Sequence, residues 1–147
     1  YLPIRRTWRR GDVVAVDFDM GPRFVEANPR VRENFGCYAL MYGPLVYCLE
    51  GVDNQGVSPL DVRWAVRRQD PRGQLEAQFE PSVLGGVVVI RTPGLSPEGD
   101  TARPLYAEAG AFGEPHMRRV TLTAIPYYAR ANRGPAWMKV WVPYALT

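Results

Sequence analysis

Few residues of this 147-residue chain have the types and spacing that metal or redox chemistry requires. Cys37 and Cys48 lie eleven positions apart, and His116 is the only histidine. Zinc sites need cysteine, histidine or carboxylate ligands clustered at loop or hairpin spacing. We therefore expect the chain to hold no metal and no cofactor, and we interpret the two cysteines as small buried residues.

Nucleophilic and phosphate-binding motifs are also missing from the sequence. None of the three serines lies in a G-x-S-x-G elbow, and Gly85-Gly86 precedes a predicted strand without a Walker pattern. Asp17 and Asp19 begin like a calcium loop, but the remaining ligands are absent at the required offsets, so we interpret them as solvated carboxylates. Among the 15 acidic residues no pair stands out as the two carboxylates of a glycosidase. We predict no catalytic residue in this chain.

Charge and hydropathy argue against two classes of partner. The net charge is +3, and four arginines lie among the first ten residues. This excess is too small to predict nucleic-acid binding, so we expect these arginines to be solvated or paired with acids of a neighbouring domain. No apolar stretch approaches the roughly 18 residues of a membrane span, and we expect no membrane partner.

The elements that would position these residues are short strands. Gly and Pro number 14 each, which favours tight turns over a helical bundle. Residues 13–20 give the clearest pattern, because Val14, Val16 and Phe18 recur at every second position, as on a half-buried strand. The other predicted strands cover residues 23–27, 37–42, 45–50, 62–66, 75–79, 87–90, 118–125 and 136–142.

Gly43-Pro44 separates two of these strands and has two interpretations. It is either a hairpin turn or a bulge within one longer strand. If it is a hairpin turn, Cys37 and Cys48 lie roughly opposite each other, and a cross-strand disulfide is geometrically possible. The sequence leaves both interpretations open.

The predicted fold is all-β, an antiparallel β-sandwich of two packed sheets, jelly-roll-like and with little helix. Residues 1–147 form a single domain, in which residues 28–34 make at most one helical turn and residues 92–115 form a long irregular stretch. The predicted core is the apolar face of the alternating strands: Val14, Val16, Phe18, Leu45, Tyr47, Leu49, Val120, Leu122, Val140 and Val142.

Three aromatic residues outside the alternating strands are candidates for an interface or a sugar contact. They are Trp8 near the start, and Tyr106 and Phe112 in the irregular stretch. Aromatic rings serve interfaces and sugar platforms as well as cores. The alternative is that these rings fold back under their own segments as a satellite core.

Four blocks of the sequence are specific enough to suggest a family. Residues 39–50 read AL-x-x-GPLVYCLE, and residues 125–141 contain IPYY, NRG and M-x-VW. Residues 6–14 read R-x-W-x-x-GD-x-V, and residues 26–32 read EANPRVR. In this order, and over almost the whole chain, the blocks resemble the bacterial β-L-arabinofuranosidases of glycoside hydrolase family 127.

The resemblance implies a parent enzyme several times longer than this chain. In that family an N-terminal (α/α)6 barrel carries catalysis, and β-sandwich domains follow it. The barrel binds zinc through three cysteines and a glutamate, with one zinc-bound cysteine as nucleophile and another glutamate as acid/base. None of these residues matches the present chain, because Cys48 lies in the sandwich block and Cys37 matches no family cysteine. Zinc is therefore implied for the absent barrel only.

The resemblance predicts the non-catalytic C-terminal β-sandwich of a multidomain glycosidase that acts on arabinofuranoside-type plant glycans. We expect a fragment, because the chain begins at Tyr1 without a methionine or a leader. The expected partner is the protein's own catalytic barrel, with a homodimer as a further assembly. The alternative is a carbohydrate-binding module that holds plant-derived arabino-oligosaccharide through exposed aromatics, and a nucleic-acid-binding sandwich is a more distant one. The family is bacterial, and the sequence itself indicates no compartment.

Overall fold

The computed structural model describes residues 1–57, 59, 61–98, 104–113 and 116–147. These residues form nine strands and two short 3-10 turns, Arg32–Asn34 and Tyr127–Ala129. The strands are β1 Pro22–Glu26, β2 Cys37–Tyr42, β3 Leu45–Glu50, β4 Arg63–Val66, β5 Glu76–Glu80, β6 Val87–Pro97, β7 Met117–Pro126, β8 Met138–Lys139 and β9 Val142–Leu146. The all-β class is therefore confirmed. Within the described residues no helix is long and apolar enough to span a bilayer.

The strands pair along a path that closes on itself. From β2 the path runs through β9, β4, β6, β7 and β3, and β3 pairs with β2 again. The remaining strands flank this ring, with β1 beside β2, β5 beside β6 and β8 beside β3. The described pairings are antiparallel except that of β4 with β9, which is parallel. The division into two packed sheets stays a prediction.

Gly43-Pro44 is a hairpin turn and not a bulge. Tyr42 pairs with Leu45 across it, and Gly43 has a φ of +52°, a conformation that suits the first position of a type II′ turn. The two strands then diverge, because β2 continues beside β9 while β3 continues beside β7. Both cysteines are free thiols, since the divergence places Cys37 opposite Pro143 and Cys48 opposite Ile125.

The main core cluster contains at least one buried side chain from each of the six strands of the ring. They are Leu40, Tyr47, Leu49, Trp64, Val66, Ile90, Leu122, Ala124 and Val142. A second cluster lies on the other face of β3, β6 and β7 and contains Cys48, Val87, Val89, Ile125 and Ala129. Of the predicted core, Tyr47, Leu49, Leu122 and Val142 are confirmed as buried, and Val120 and Val140 pack half-buried against the two clusters.

The predicted strand at residues 13–20 is wrong for the described chain. These residues contain no turn or bend and are not assigned to a strand. Val14, Val16 and Phe18 are 49%, 66% and 72% exposed, so their place in the predicted core is wrong as well. Leu45 is also wrong, at 39% exposed. Alternation predicts a buried face only where the fold supplies something to bury it against, and no described strand lies beside this segment.

Two other boundaries differ from the sequence predictions. β6 continues through Pro97 and pairs with β7 along residues 90–97, so the irregular stretch does not begin at Thr92. Residues 99–103 and 114–115 of that stretch lie outside the described residues. The predicted last strand is two strands, β8 and β9, with Val140 and Trp141 between them.

Candidate functional site

The most densely connected polar group of the described chain surrounds Glu50 at the end of β3, and we call it the Glu50 cluster. Glu50 is only 2% exposed. Its Oε2 lies 2.8 Å from Nη2 of Arg133, and its Oε1 accepts the backbone N–H of Ala131 at 2.7 Å. Arg133 also binds both carboxylate oxygens of Asp53, with Nη1 to Oδ1 at 2.6 Å. One guanidinium thus bridges two carboxylates.

Asn54, the fourth member of the Glu50 cluster, fastens its turn to the neighbouring strand. Its side chain is buried, and its Nδ2 donates to the carbonyls of Glu50 and Thr123 at 2.8 and 2.9 Å. Its Oδ1 accepts the N–H of Thr123 at 2.9 Å. The side-chain amide of Asn54 thus takes the place of a strand partner. It satisfies the backbone N–H and C=O of Thr123 in β7, just beyond the last pair between β3 and β7.

The loop that carries Arg133 is held in an unusual conformation by the same cluster. Ala131 has a φ of +61°, in the left-handed region that non-glycine residues rarely adopt. The hydrogen bond from its N–H to the Glu50 carboxylate stabilises this conformation. Glu50 therefore orients both the backbone and the side chain of the segment that follows the second 3-10 turn.

The charged groups of the Glu50 cluster form an ion network. The hydrogen bond to Asp53, and then that to Glu50, raise the pKa of Arg133 above its usual range despite partial burial. Arg133 stays charged, and both carboxylates have their oxygens engaged.

Cys48, beside the Glu50 cluster in sequence, is a buried thiol with a raised pKa. It is 2% exposed. Burial first, and then the negative charge of Glu50, raise the pKa of its thiol to about 11. Since the thiolate is the reactive form, burial and the raised pKa both disfavour reaction of this thiol near pH 7. Among the described residues no three His, Cys, Asp or Glu side chains are grouped as a metal ion would require.

The three candidate contact residues lie at the surface on two separate segments. Trp8 is 52% exposed, and the guanidinium of Arg6 lies 5.2 Å from its ring centroid. Arg6 also pairs with Asp12 at 3.1 Å. Tyr106 is 90% exposed and Phe112 is 37% exposed, in the segment between β6 and β7. Their assignment to an interface or to sugar stays a prediction.

A groove of about 520 Å³ lies where the extended segment meets the domain, and we call it the Phe18 groove. Its lining residues are Phe18, Asp19, Met20, Arg23, Gly43, Pro44 and Arg72. Asp19 pairs with Arg72 at 2.9 Å, and this hydrogen bond lowers the pKa of its carboxyl group. The sequence patterns did not reveal the groove, because Arg72 is 53 residues from Asp19.

Comparison with known proteins assigns the chain to a family. Residues 22–143 match the model of the glycoside hydrolase family 127 C-terminal domain. The chain belongs to glycoside hydrolase family 127. The resemblance seen in the sequence is thereby confirmed, and the Glu50 cluster lies within the matched family 127 domain. Residues 1–21, which include Trp8 and Phe18, precede it.

Relatives show how much of a family 127 protein this chain represents. It is 40% identical over 132 residues to the non-reducing end β-L-arabinofuranosidase of Bifidobacterium longum subsp. longum, covering 86% of this chain and 19% of that protein. The crystal structure of a family 127 β-L-arabinofuranosidase from Geobacillus stearothermophilus T6 superposes with a TM-score of 0.70 at 40% identity, covering 86% of this chain and 18% of that one. A second solved family 127 β-arabinofuranosidase gives a TM-score of 0.72 at 36% identity, covering 95% and 20%. The chain spans about a fifth of the length of these relatives.

Proposed function

We propose that this chain is the non-catalytic C-terminal domain of a β-L-arabinofuranosidase-like glycoside hydrolase, and that it packs against the catalytic (α/α)6 barrel of the same polypeptide. The observation that carries the proposal is the match to the family's C-terminal domain together with coverage of only about a fifth of the relatives. The parent enzyme acts on arabinofuranoside-type glycans, with zinc held by the barrel.

The chemistry of the Glu50 cluster supports a structural role. Glu50 and Asp53 are bound by Arg133, and Cys48 is buried with a raised pKa. Two of the blocks that resemble the family thus meet in an ion network, since Glu50 ends the GPLVYCLE octamer and Arg133 belongs to the NRG block. Such a network stabilises a fold and fixes a loop.

The test is made on the full-length polypeptide with an aryl β-L-arabinofuranoside as substrate. We expect hydrolysis by the full-length protein, none by the 147-residue chain, and full activity in the Cys48→Ala variant of the full-length protein. Circular dichroism of the 147-residue chain controls for its folding. Turnover by the purified, folded 147-residue chain, or loss of turnover in Cys48→Ala with the fold retained, would contradict a non-catalytic role.

The assembly is tested separately by size-exclusion chromatography with light scattering. We expect the full-length protein to form a homodimer to which this domain contributes, so that removal of residues 21–147 converts the dimer into a monomer. A full-length monomer would remove the dimer from the proposal and leave the packing on the barrel standing.

Sugar binding is a second candidate, favoured by the exposure of Tyr106 and Trp8. Isothermal titration with arabino-oligosaccharides distinguishes it. We expect no heat of binding to the domain. Binding that is lost in Trp8→Ala or Tyr106→Ala and retained in Tyr128→Ala, an exposed tyrosine at the second 3-10 turn, would establish a carbohydrate-binding module instead.

A further inference from the structure

Residues 13–20 carry the sequence signature of a strand but have no strand of the described residues beside them. Val14, Val16 and Phe18 recur at every second position, as on one face of a strand, and all three are exposed. The segment contains no turn or bend and pairs with no strand of the described chain. Its backbone donors and acceptors are therefore available to a ladder that the described residues do not supply.

The family boundary separates this segment from the domain. The match to the C-terminal domain begins at residue 22, at the start of β1. Residues 13–20 thus belong to the region that precedes the C-terminal domain. About four-fifths of the relatives' length lies outside the part that this chain covers.

The end of the segment is anchored, which fixes where its apolar face lies. The Met20 side chain packs against Gly43 so closely that a Cβ there would collide with its Cε and Sδ. Asp19, the residue before Met20, forms an ion pair with Arg72. The apolar face of Phe18 and Met20 then continues over Pro44 in the Phe18 groove. Segment and groove therefore form one continuous docking surface.

We propose that residues 13–20 form a β-strand of the domain that precedes this one in the full-length polypeptide, where they pair along a sheet edge and bury Val14, Val16 and Phe18. The inference rests on the proposed function, since it requires that this chain is a C-terminal domain. A sheet edge is the partner because an extended backbone needs inter-strand hydrogen bonds, which a helical surface does not offer. The covalent link also favours this partner over a second copy, because it raises the effective concentration.

Amide hydrogen exchange of the full-length polypeptide, resolved to single residues, tests the pairing. We expect alternate amides within residues 13–20 to exchange at least roughly a hundredfold more slowly than unprotected amides, because every second N–H of an edge strand is bonded. Unprotected exchange throughout the segment would overturn the inference. A separate experiment tests whether the domain packs on the rest of the protein. The full-length polypeptide is cleaved near Gly11, and the domain should then co-elute with the remaining polypeptide.

A matched pair of variants in the full-length protein tests the apolar face. Val16→Asp places a carboxylate on that face, and Ala15→Asp places the same group on the opposite face. We expect Val16→Asp to lower the midpoint of thermal unfolding by about 5 °C or more, and Ala15→Asp by less than half as much. Equal shifts would overturn the buried face. If Val16→Asp does not fold, the exchange measurement on the unmodified protein decides.

Discussion

Arg133 controls the charge balance of the Glu50 cluster, because it is the cation shared by two acids. Glu50 is almost fully buried, while Arg133 and Asp53 keep side-chain exposures of 20% and 13%. Removing the guanidinium leaves a buried carboxylate with only the N–H of Ala131 among these contacts. An unpaired buried charge is costly, whereas a buried pair adds little net stability over an apolar replacement.

We expect Arg133→Ala to lower the free energy of unfolding by roughly 3 kcal/mol, near the lower end for a broken buried pair because Arg133 keeps some contact with water. Urea unfolding followed by tryptophan fluorescence measures the change. Arg68→Ala, at an exposed arginine, is the control and should change it by less than about 0.5 kcal/mol. Equal effects of the two variants would mean that the cluster does not stabilise the fold.

Cys48 predicts how stability changes in alkaline solution. Burial raises the pKa of its thiol from 9.0 to about 11. The unfolded chain therefore releases this proton at lower pH than the folded chain does. The resulting stabilisation is fully present below pH 9 and is lost as the pH rises through 11, with an upper bound of roughly 2–3 kcal/mol.

The measurement is the free energy of unfolding at several pH values between 8 and 11. Cys48→Ala should flatten the decline over this range, whereas Cys37→Ala, at a half-buried thiol, should leave it unchanged. Tyr47 adds a further decline above pH 10, because burial raises its pKa to about 12. A slope that is identical in both cysteine variants would contradict burial of the Cys48 thiol.

At the scale of elements, the strands that the sequence predicts correctly are those with partners inside the domain. β2 and β3 lie at the predicted residues, and β7 extends the predicted strand at residues 118–125 by one residue at each end. Their alternation matched a real buried face, as Leu122 and Ala124 show. Residues 13–20 have an equally clear pattern and are exposed. Periodicity marks the apolar face of a segment, but it does not say what covers that face.

Other features of the fold depend on distant contacts that local patterns do not contain. β6 runs through Pro93, Gly94 and Pro97, which read as turn residues in the sequence. The ion pair between Glu50 and Arg133 joins residues 83 positions apart. Only the family resemblance pointed to their neighbourhood, because both belong to its specific blocks. Spacing gave no reason to pair them.

Gly94 in β6 makes room for Leu122 in β7, and this contact gives an element-scale prediction. A Cβ at Gly94 would collide with Cδ1 and Cγ of Leu122. Leu122 is fully buried, so Leu122→Ala should cost about 2–5 kcal/mol. Gly94→Ala should cost about 1–3 kcal/mol through overpacking.

The double variant Gly94→Ala/Leu122→Ala should be less destabilised than the sum of the two single changes. The reason is that the added methyl group then enters the space that the leucine vacates. Thermal or urea unfolding of the four proteins gives the coupling. Strict additivity would mean that Leu122 moves away from Gly94 without cost.

At the scale of the whole molecule, the exposed apolar surface of the 147-residue chain predicts self-association. Val16 and Phe18 are 66% and 72% exposed, and contiguous apolar patches of this kind drive association. We expect small-angle scattering of the 147-residue chain to show a particle mass that rises with concentration. In Val16→Ser/Phe18→Ser the rise should disappear, whereas it should persist in Phe79→Ser, which alters an exposed aromatic on β5. A particle mass that is independent of concentration would contradict self-association through residues 13–20.

The parallel pairing of β4 with β9 has a consequence for the timing of folding during synthesis. β9 follows every other described strand and lies between β2 and β4 in the ring. Since β4 ends at Val66 and β9 begins at Val142, translation at roughly 5–20 residues per second leaves that edge of β4 unpaired for on the order of ten seconds. The ring cannot close while the nascent chain lacks its last strand. Until β9 has been synthesised, the other strands of the ring form an open sheet, and the edges of β2 and β4 are free to pair with another chain.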